Sequence, residues 1–101
     1  MTISSVNAVK ANQPVIFFTA RVHCGESPAS YMLQGVLDKL TDLTVDNQVL
    51  LDNYVFKIIP MLNPDGVARG YWRYDTQGLN LNRFWADPKP DLHPTIHGAK
   101  N

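Results

Sequence analysis

A histidine and a glutamate stand three positions apart in this chain, His23 and Glu26. A neutral imidazole nitrogen and a carboxylate oxygen are both good zinc ligands. Two such residues, a histidine from elsewhere and a water molecule make a catalytic zinc site. A plainer interpretation is a surface histidine followed by a glutamate that interacts favourably with a helix N-terminus. The spacing alone leaves both interpretations open, so the surrounding sequence has to decide between them.

The residues around this pair have the pattern of a strand followed by a helix. Residues 14–19 form a continuous apolar and β-branched run, which is typical of a strand covered on both faces. Ser27 can cap a helix, Pro28 suits its first position, and apolar residues then recur at helical spacing. The pair therefore lies after the C-terminal end of a strand, where open α/β sheets usually place their sites.

A second apolar run, residues 54–62, predicts another strand, so that strand, helix and strand form one βαβ unit. The turn-forming residues 63–66 end that strand. We expect a loop with at most a short helical turn over residues 41–52, an irregular loop over 67–82, and the start of a helix over 95–100. These elements indicate an α/β fold.

Length and composition narrow the class of protein. The chain has 101 residues, 45% of them hydrophobic, which fits one globular domain. Nine basic and nine acidic residues cancel, so neither a nucleic-acid nor a membrane partner is indicated, and no apolar run reaches the roughly 18 residues of a membrane span. The single cysteine, Cys24, excludes an internal disulfide and fits a reducing compartment. Residues 1–13 lack an apolar signal-peptide core, so we expect a cytoplasmic protein.

Three further clusters follow the pair in a fixed order. They are residues 63–66 (Asn-Pro-Asp-Gly) with two arginines after them, residues 80–83 (Asn-Leu-Asn-Arg), and residues 93–97 (His-Pro-Thr-Ile-His). Together with residues 20–28 they resemble the zinc metallocarboxypeptidases, and most nearly the cytosolic carboxypeptidase branch, which shortens glutamate-rich protein tails. The likeness runs from about residue 14 to residue 100, and the segments around His23 and around residues 60–67 are particularly specific.

The resemblance implies roles for five residues. His23 and Glu26 match the first two zinc ligands of the family. Arg73 matches the arginine that faces the scissile carbonyl oxygen, where a fixed guanidinium stabilises the charge of the transition state. Asn82 and Arg83 match the pair that holds the terminal carboxylate of the substrate, because a planar guanidinium can meet both oxygens. Without the resemblance, a surface cation over a neighbouring ring and an ordinary polar turn would explain the last three residues.

The sequence also departs from the family pattern. Cys24 stands where proline is usual, and we expect it to be a small buried residue rather than a competing metal ligand. Asn80 stands where many relatives carry an aspartate that orients the first zinc histidine, which predicts a lower metal affinity. Neither His93 nor His97 occupies the place of the second zinc histidine, so we expect that ligand and the glutamate general base beyond residue 101.

We therefore expect the front half of a zinc-carboxypeptidase-like domain, with a partial mixed sheet and flanking helices. Residues 1–13 would be a polar lead-in and residues 14–101 an incomplete catalytic domain. The resemblance implies zinc-dependent hydrolysis of C-terminal peptide bonds, with peptide or protein tails such as that of tubulin as partners and glutamate as the residue removed. The 101 residues alone should be inactive.

Two alternatives stay open. Acyl-amino-acid deacylases of the same broad fold also use a His-x-x-Glu motif and an Asn-Arg pair, although residues 60–73 favour the peptidase. The chain could also be a non-catalytic remnant.

Overall fold

A computed structural model of the chain describes residues 1–5 and 13–101. Strands β1 (Thr2–Ile3), β2 (Val15–Thr19) and β3 (Val55–Ile59) form one sheet in the order β1-β3-β2. Strand β2 runs parallel to β3 and strand β1 antiparallel to it, so the sheet is mixed, as the sequence predicts. Residues 2–3 of the polar lead-in thus contribute an edge strand, while residues 6–12 of it lie outside the described residues.

The helices pack around this small sheet. They are α1 (Pro28–Thr41), α2 (Val45–Asn53), α3 (Pro64–Ala68) and α4 (Pro94–Lys100), with a 3-10 turn at Leu81–Arg83. The predicted strand-helix-strand unit is present, but β3 is shorter than residues 54–62, since it ends at Ile59, just before Pro60. Within the described residues, no helix combines the length and apolar character needed to cross a membrane.

The prediction of a loop over residues 41–52 is wrong, because helix α2 occupies most of it. Its apolar residues do not share a buried face: Val45 and Val49 are exposed. The helix depends on polar groups at its start, where the Thr44 side chain accepts a hydrogen bond from the Asn47 N–H at 3.3 Å. Hydrophobic periodicity could not reveal a helix of this kind.

Side-chain capping also differs from the prediction at two helix starts. Ser27 has helical dihedral angles, φ −55° and ψ −32°, and its side chain makes no capping hydrogen bond, although Pro28 holds the predicted first position of α1. The predicted turn at residues 63–66 instead opens the short helix α3. Its cap is Asn63, whose Oδ1 accepts from the Gly66 N–H at 3.0 Å.

Two apolar clusters hold these elements together. The first lies between α1 and the sheet, and its buried members are Ala20, Leu33, Leu40, Phe56 and Ile58. The second lies beneath the loops that follow β3, and its buried members are Leu62, Leu81 and Ile96. The second cluster therefore anchors the 3-10 turn and α4 to the chain leaving β3.

Asn47 provides a test of how α2 is held. Its side chain is 1% exposed, and Nδ2 donates to the carbonyl oxygens of Lys39 and Asp42 at 2.5 and 2.7 Å. We expect Asn47→Ala to lower the free energy of unfolding by about 1–3 kcal/mol, because carbonyl groups at the end of α1 lose their donor. Urea unfolding followed by circular dichroism measures the change.

Asn53→Ala is the matched control. Asn53 lies on the same helix, is exposed, and donates one hydrogen bond to the Val49 carbonyl at 2.7 Å. We expect this variant to stay within about 0.5 kcal/mol of the unsubstituted chain. Equal losses in both variants would show that the buried position of Asn47 has no special importance.

Candidate metal centre and substrate site

The loops that follow β2 and β3 start side by side. The Ala20 N–H donates to the Ile59 carbonyl at 3.1 Å, and the Leu62 N–H donates to the Ala20 carbonyl at 2.9 Å. Backbone pairing thus continues past both strands, at the edge where parallel strands present their carboxyl ends. The first loop carries His23 and Glu26.

Arg21 gives this first loop its shape, and the sequence contains no spacing signal that marks it. Its backbone has φ 53°, a left-handed conformation that is uncommon for residues other than glycine. Its guanidinium folds back over the loop, where Nε donates to the Cys24 carbonyl at 3.1 Å and Nη1 to the Ser30 hydroxyl at 2.9 Å. These hydrogen bonds hold the strained turn that precedes His23.

His23 is buried, with 6% of its surface exposed, and both of its ring nitrogens have a polar partner. Nδ1 lies 2.9 Å from Glu26 Oε1, and Nε2 lies 2.9 Å from Asn80 Oδ1. Asn80 Oδ1 also accepts a hydrogen bond from the Asn82 N–H at 3.1 Å, which identifies this atom as the amide oxygen. Nε2 must therefore carry a proton and donate it to Asn80, and Nδ1 is the nitrogen that faces the carboxylate.

The donor set of His23 and Glu26 fits a metal cation. When the imidazole is neutral, Nδ1 and Oε1 are two acceptors facing each other, and such a pair requires a proton or a cation between them. An imidazole nitrogen and a carboxylate oxygen are ligands that zinc takes in proteins. Across residues 1–5 and 13–101, however, no group of three histidine, cysteine, aspartate or glutamate side chains converges on one point.

Arg73 lies beside this pair. Its Nη1 is 3.9 Å from Glu26 Oε1, and the two side chains are 37% and 56% exposed. Such a loose and exposed ion pair contributes little to stability. The guanidinium therefore keeps donors free for another oxygen atom. An open cavity of about 550 Å³ adjoins it, with a wall that includes Tyr71, Trp72 and Tyr74.

Asn82 and Arg83 lie in the 3-10 turn that begins after Asn80. Asn82 Oδ1 accepts from the Trp85 indole N–H at 2.8 Å, and Arg83 Nη1 donates to the Asn82 carbonyl at 3.2 Å. Both side chains are exposed, while Leu81 between them and Asn80 is buried. The structure thus brings Asn82 next to the partner of His23. As far as the chain is described, Arg83 makes no hydrogen bond or ion pair with Glu26 or Arg73.

The two remaining histidines lie elsewhere. His93 is buried against the ring of Phe84, with centroids 3.8 Å apart and the planes 16° from parallel, and its Nδ1 accepts from the Lys89 N–H at 3.0 Å. His97 lies on α4. In the described structure neither contributes to the pair formed by His23 and Glu26.

Comparisons with known proteins identify the family of the chain. A family model described as zinc carboxypeptidase matches residues 1–99. The chain is 53% identical over 89 residues to cytosolic carboxypeptidase 1 of Gallus gallus, which covers 88% of this chain and 7% of that protein. It is 48% identical over 102 aligned positions to cytosolic carboxypeptidase 6 of Homo sapiens, and this alignment covers 99% of the chain and 20% of that protein.

A solved structure shares the fold. The crystal structure of a metallo-carboxypeptidase from Burkholderia cenocepacia matches with a TM-score of 0.87 and 30% sequence identity, over 98% of this chain and 27% of that one. The chain thus spans about a quarter of that structure and 7% to 20% of the curated relatives named above. On the family match and these likenesses, the chain belongs to the zinc carboxypeptidase family.

Proposed function

We propose that these residues form part of the active site of a zinc-dependent carboxypeptidase that removes C-terminal residues from peptides and proteins. The observation that carries the proposal is the convergence of His23 Nδ1 and Glu26 Oε1 at 2.9 Å, with the Arg73 guanidinium 3.9 Å from the same carboxylate oxygen. A metal-binding pair and a loosely paired cation beside an open cavity are among the groups that hydrolysis of a peptide bond uses.

His23 and Glu26 would hold the zinc ion. When bound, zinc polarises a carbonyl oxygen and lowers the pKa of a bound water molecule. The protein's own contribution is orientation. Asn80 Oδ1 accepts a hydrogen bond from the Nε2–H of His23, with 2.9 Å between the two heavy atoms. This contact keeps the lone pair of Nδ1 directed toward Glu26.

Arg73 would stabilise negative charge on the oxygen of the scissile carbonyl group. A guanidinium assists most when it already occupies its place before charge develops, because no reorganisation is then needed during the reaction. The loose contact with Glu26 leaves donors of the Arg73 guanidinium free beside the metal ligands. The adjoining cavity offers room for the substrate.

Asn82 and Arg83 would bind the terminal carboxylate of the substrate. Both side chains are exposed and can be reached from solvent. The hydrogen bond from Trp85 occupies the amide oxygen of Asn82, so its N–H groups can face an anion. The planar fork of Arg83 can meet both carboxylate oxygens, and recognition of a free carboxylate would restrict cleavage to chain ends.

The proposed substrates are glutamate-rich protein tails, such as that of tubulin, and the proposed location is the cytoplasm. Two relatives are named cytosolic carboxypeptidases, which supports the location. The glutamate preference rests on the resemblance to that branch alone. All the relatives and structural neighbours named above are carboxypeptidases, which favours a peptidase over a deacylase.

A chimera tests the function directly. The 101 residues would replace the matching segment of human cytosolic carboxypeptidase 6, to which they are 48% identical. We expect chelator-sensitive release of glutamate from a glutamate-tailed peptide. A folded, zinc-loaded chimera without any turnover would contradict the proposal and favour a non-catalytic remnant.

In the same chimera, Arg83→Lys tests the carboxylate-binding role. We expect kcat/KM to fall at least about tenfold for a peptide with a free C-terminus, because lysine loses the bidentate contact. Residual turnover of the same peptide with an amidated terminus should change much less. Arg69→Lys is the matched control, since Arg69 is an exposed arginine of the preceding segment without an assigned role. Equal losses on both peptides would remove Arg83 from this role.

The proposed role of Asn80 in orienting the His23 ring is testable on the 101-residue chain itself. We expect Asn80→Leu to weaken zinc binding by about 10- to 100-fold, because His23 loses the acceptor that orients its ring. Asn80→Asp keeps the acceptor and should bind zinc at least as tightly as the unsubstituted chain. Competition with a weak chromophoric chelator measures both affinities, and an unchanged affinity in Asn80→Leu would refute the orienting role.

The 101 residues alone should be inactive when zinc is added. Two of the described residues converge as ligands without a third, and each missing ligand lowers metal affinity. We assign no carboxylate among the described residues as a proton shuttle, and general acid-base help is worth about 10²- to 10⁴-fold in rate. The assay is glutamate release from a glutamate-tailed peptide. Chelator-sensitive turnover that disappears in Glu26→Ala would contradict this expectation.

A further inference from the structure

We infer that Cys24 and Asn63 are positioning residues for Arg73, holding the backbone that carries its guanidinium in register with the metal-binding loop. The inference rests on the proposed function of Arg73, since it assigns the cause of that residue's placement. The inference also gives the Cys24 thiol a role as a hydrogen-bond donor, beyond that of a small buried residue.

The carbonyl groups on both sides of Arg73 are anchored. The Trp72 carbonyl accepts from the Gly25 N–H at 2.7 Å. The Tyr74 carbonyl accepts from Asn63 Nδ2 at 3.2 Å and from the Cys24 thiol at 3.4 Å. A carbonyl oxygen has two lone pairs, so the Tyr74 carbonyl can accept both donors at once.

Both donors are buried, and a second contact determines the orientation of Asn63. Cys24 is 2% exposed and Asn63 is 3% exposed. Asn63 Oδ1 accepts from the Gly66 N–H, and a Cβ at residue 66 would lie 2.6 Å from that oxygen, so the side chain fits closely against the glycine. With Oδ1 engaged there, the amide N–H points to Tyr74.

Side-chain burial contributes little to holding this segment. Trp72 is 81% exposed and Tyr74 is 51% exposed, so the side chains that flank Arg73 are mostly in solvent. The nearest approach to Gly25 is made by the Trp72 carbonyl group, with one edge of the Trp72 ring beside it. A Cβ at residue 25 would lie 2.5 Å from the Trp72 carbonyl oxygen, so only glycine permits the contact. Hydrogen bonds to the metal-binding loop and to Asn63 therefore determine where the Arg73 backbone lies.

The chemistry at position 24 follows from this arrangement. A thiol is a small apolar group that tolerates burial and still offers a weak hydrogen-bond donor. A proline or an alanine in the same place would fill space without a side-chain donor. Cys24 therefore acts through the backbone next to Arg73, and its sulfur faces a carbonyl group rather than the Glu26 carboxylate.

Amide hydrogen exchange on the 101-residue chain tests the inference without any need for turnover. The reporter is the Gly25 N–H, which is bonded to Trp72, and the reference is the Ala20 N–H, which is bonded across the strands. We expect Cys24→Ala and Asn63→Asp each to lower the protection of Gly25 about fivefold or more relative to Ala20. Asn63→Asp keeps the acceptor for Gly66 and replaces the donor to Tyr74 by a carboxylate oxygen, which repels that carbonyl group.

Two further variants separate positioning from a general loss of stability. Cys24→Ser retains a donor and should restore the protection of Gly25. Asn53→Asp removes an amide donor to a backbone carbonyl on α2 and should leave Gly25 unchanged. The Arg73 Nε resonance, assigned by its loss in Arg73→Lys, should move toward its unfolded position in Cys24→Ala and Asn63→Asp only. Variants at two separate segments keep the test valid if one of them fails to fold.

The result that would overturn the inference is protection of Gly25 that follows Ala20 in both variants, with the Arg73 resonance unmoved. The result of the exchange experiment is independent of the result of the chimera assay. An inactive chimera would remove the catalytic role of Arg73 and leave these exchange data standing. Unchanged exchange beside an active chimera would remove the positioning role alone.

Discussion

The hydrogen bond between His23 Nε2 and Asn80 Oδ1 joins two parts of the candidate site that are 57 residues apart in the chain. The same amide oxygen accepts the Asn82 N–H, so one atom determines both which imidazole nitrogen faces Glu26 and where the turn carrying Arg83 begins. The parallel pairing of β2 and β3 brings the first loop to this point, and burial of Leu81 beneath the turn brings the second.

The segment around Arg73 is positioned by a different kind of contact. Its flanking aromatic side chains are at least half exposed, and its ion pair with Glu26 is loose, so burial and charge contribute little to its position. Backbone carbonyl groups carry the contacts, and a glycine is required opposite one of them. A segment held in this way can present an exposed guanidinium in a constant position, which electrostatic catalysis requires.

Strand β2 and helix α1 could be predicted from the sequence, because the spacing of their apolar residues over a few positions already indicates the type of element. An uninterrupted apolar run indicates strand β2, and a repeated apolar face after Pro28 indicates α1. The expectation that β2 is covered on both faces is wrong, because Val15 and Phe17 on one face are 58% and 47% exposed. Helix α2 was not predicted, because its stability depends on Thr44 and Asn47 rather than on an apolar face. Strand β1 was not predicted either, because its two residues are too few to show a period.

The sequence by itself determined the family and the chemical types of the site residues, because motif order and residue identity are properties of the chain in one dimension. Only the tertiary structure decided which nitrogen of His23 meets Glu26, and that the Cys24 thiol donates to the carbonyl of Tyr74, 50 residues later. It also decided that Arg21 takes a left-handed conformation. The physical reason is that such contacts depend on the path of the backbone between distant residues, which local pattern and propensity do not encode.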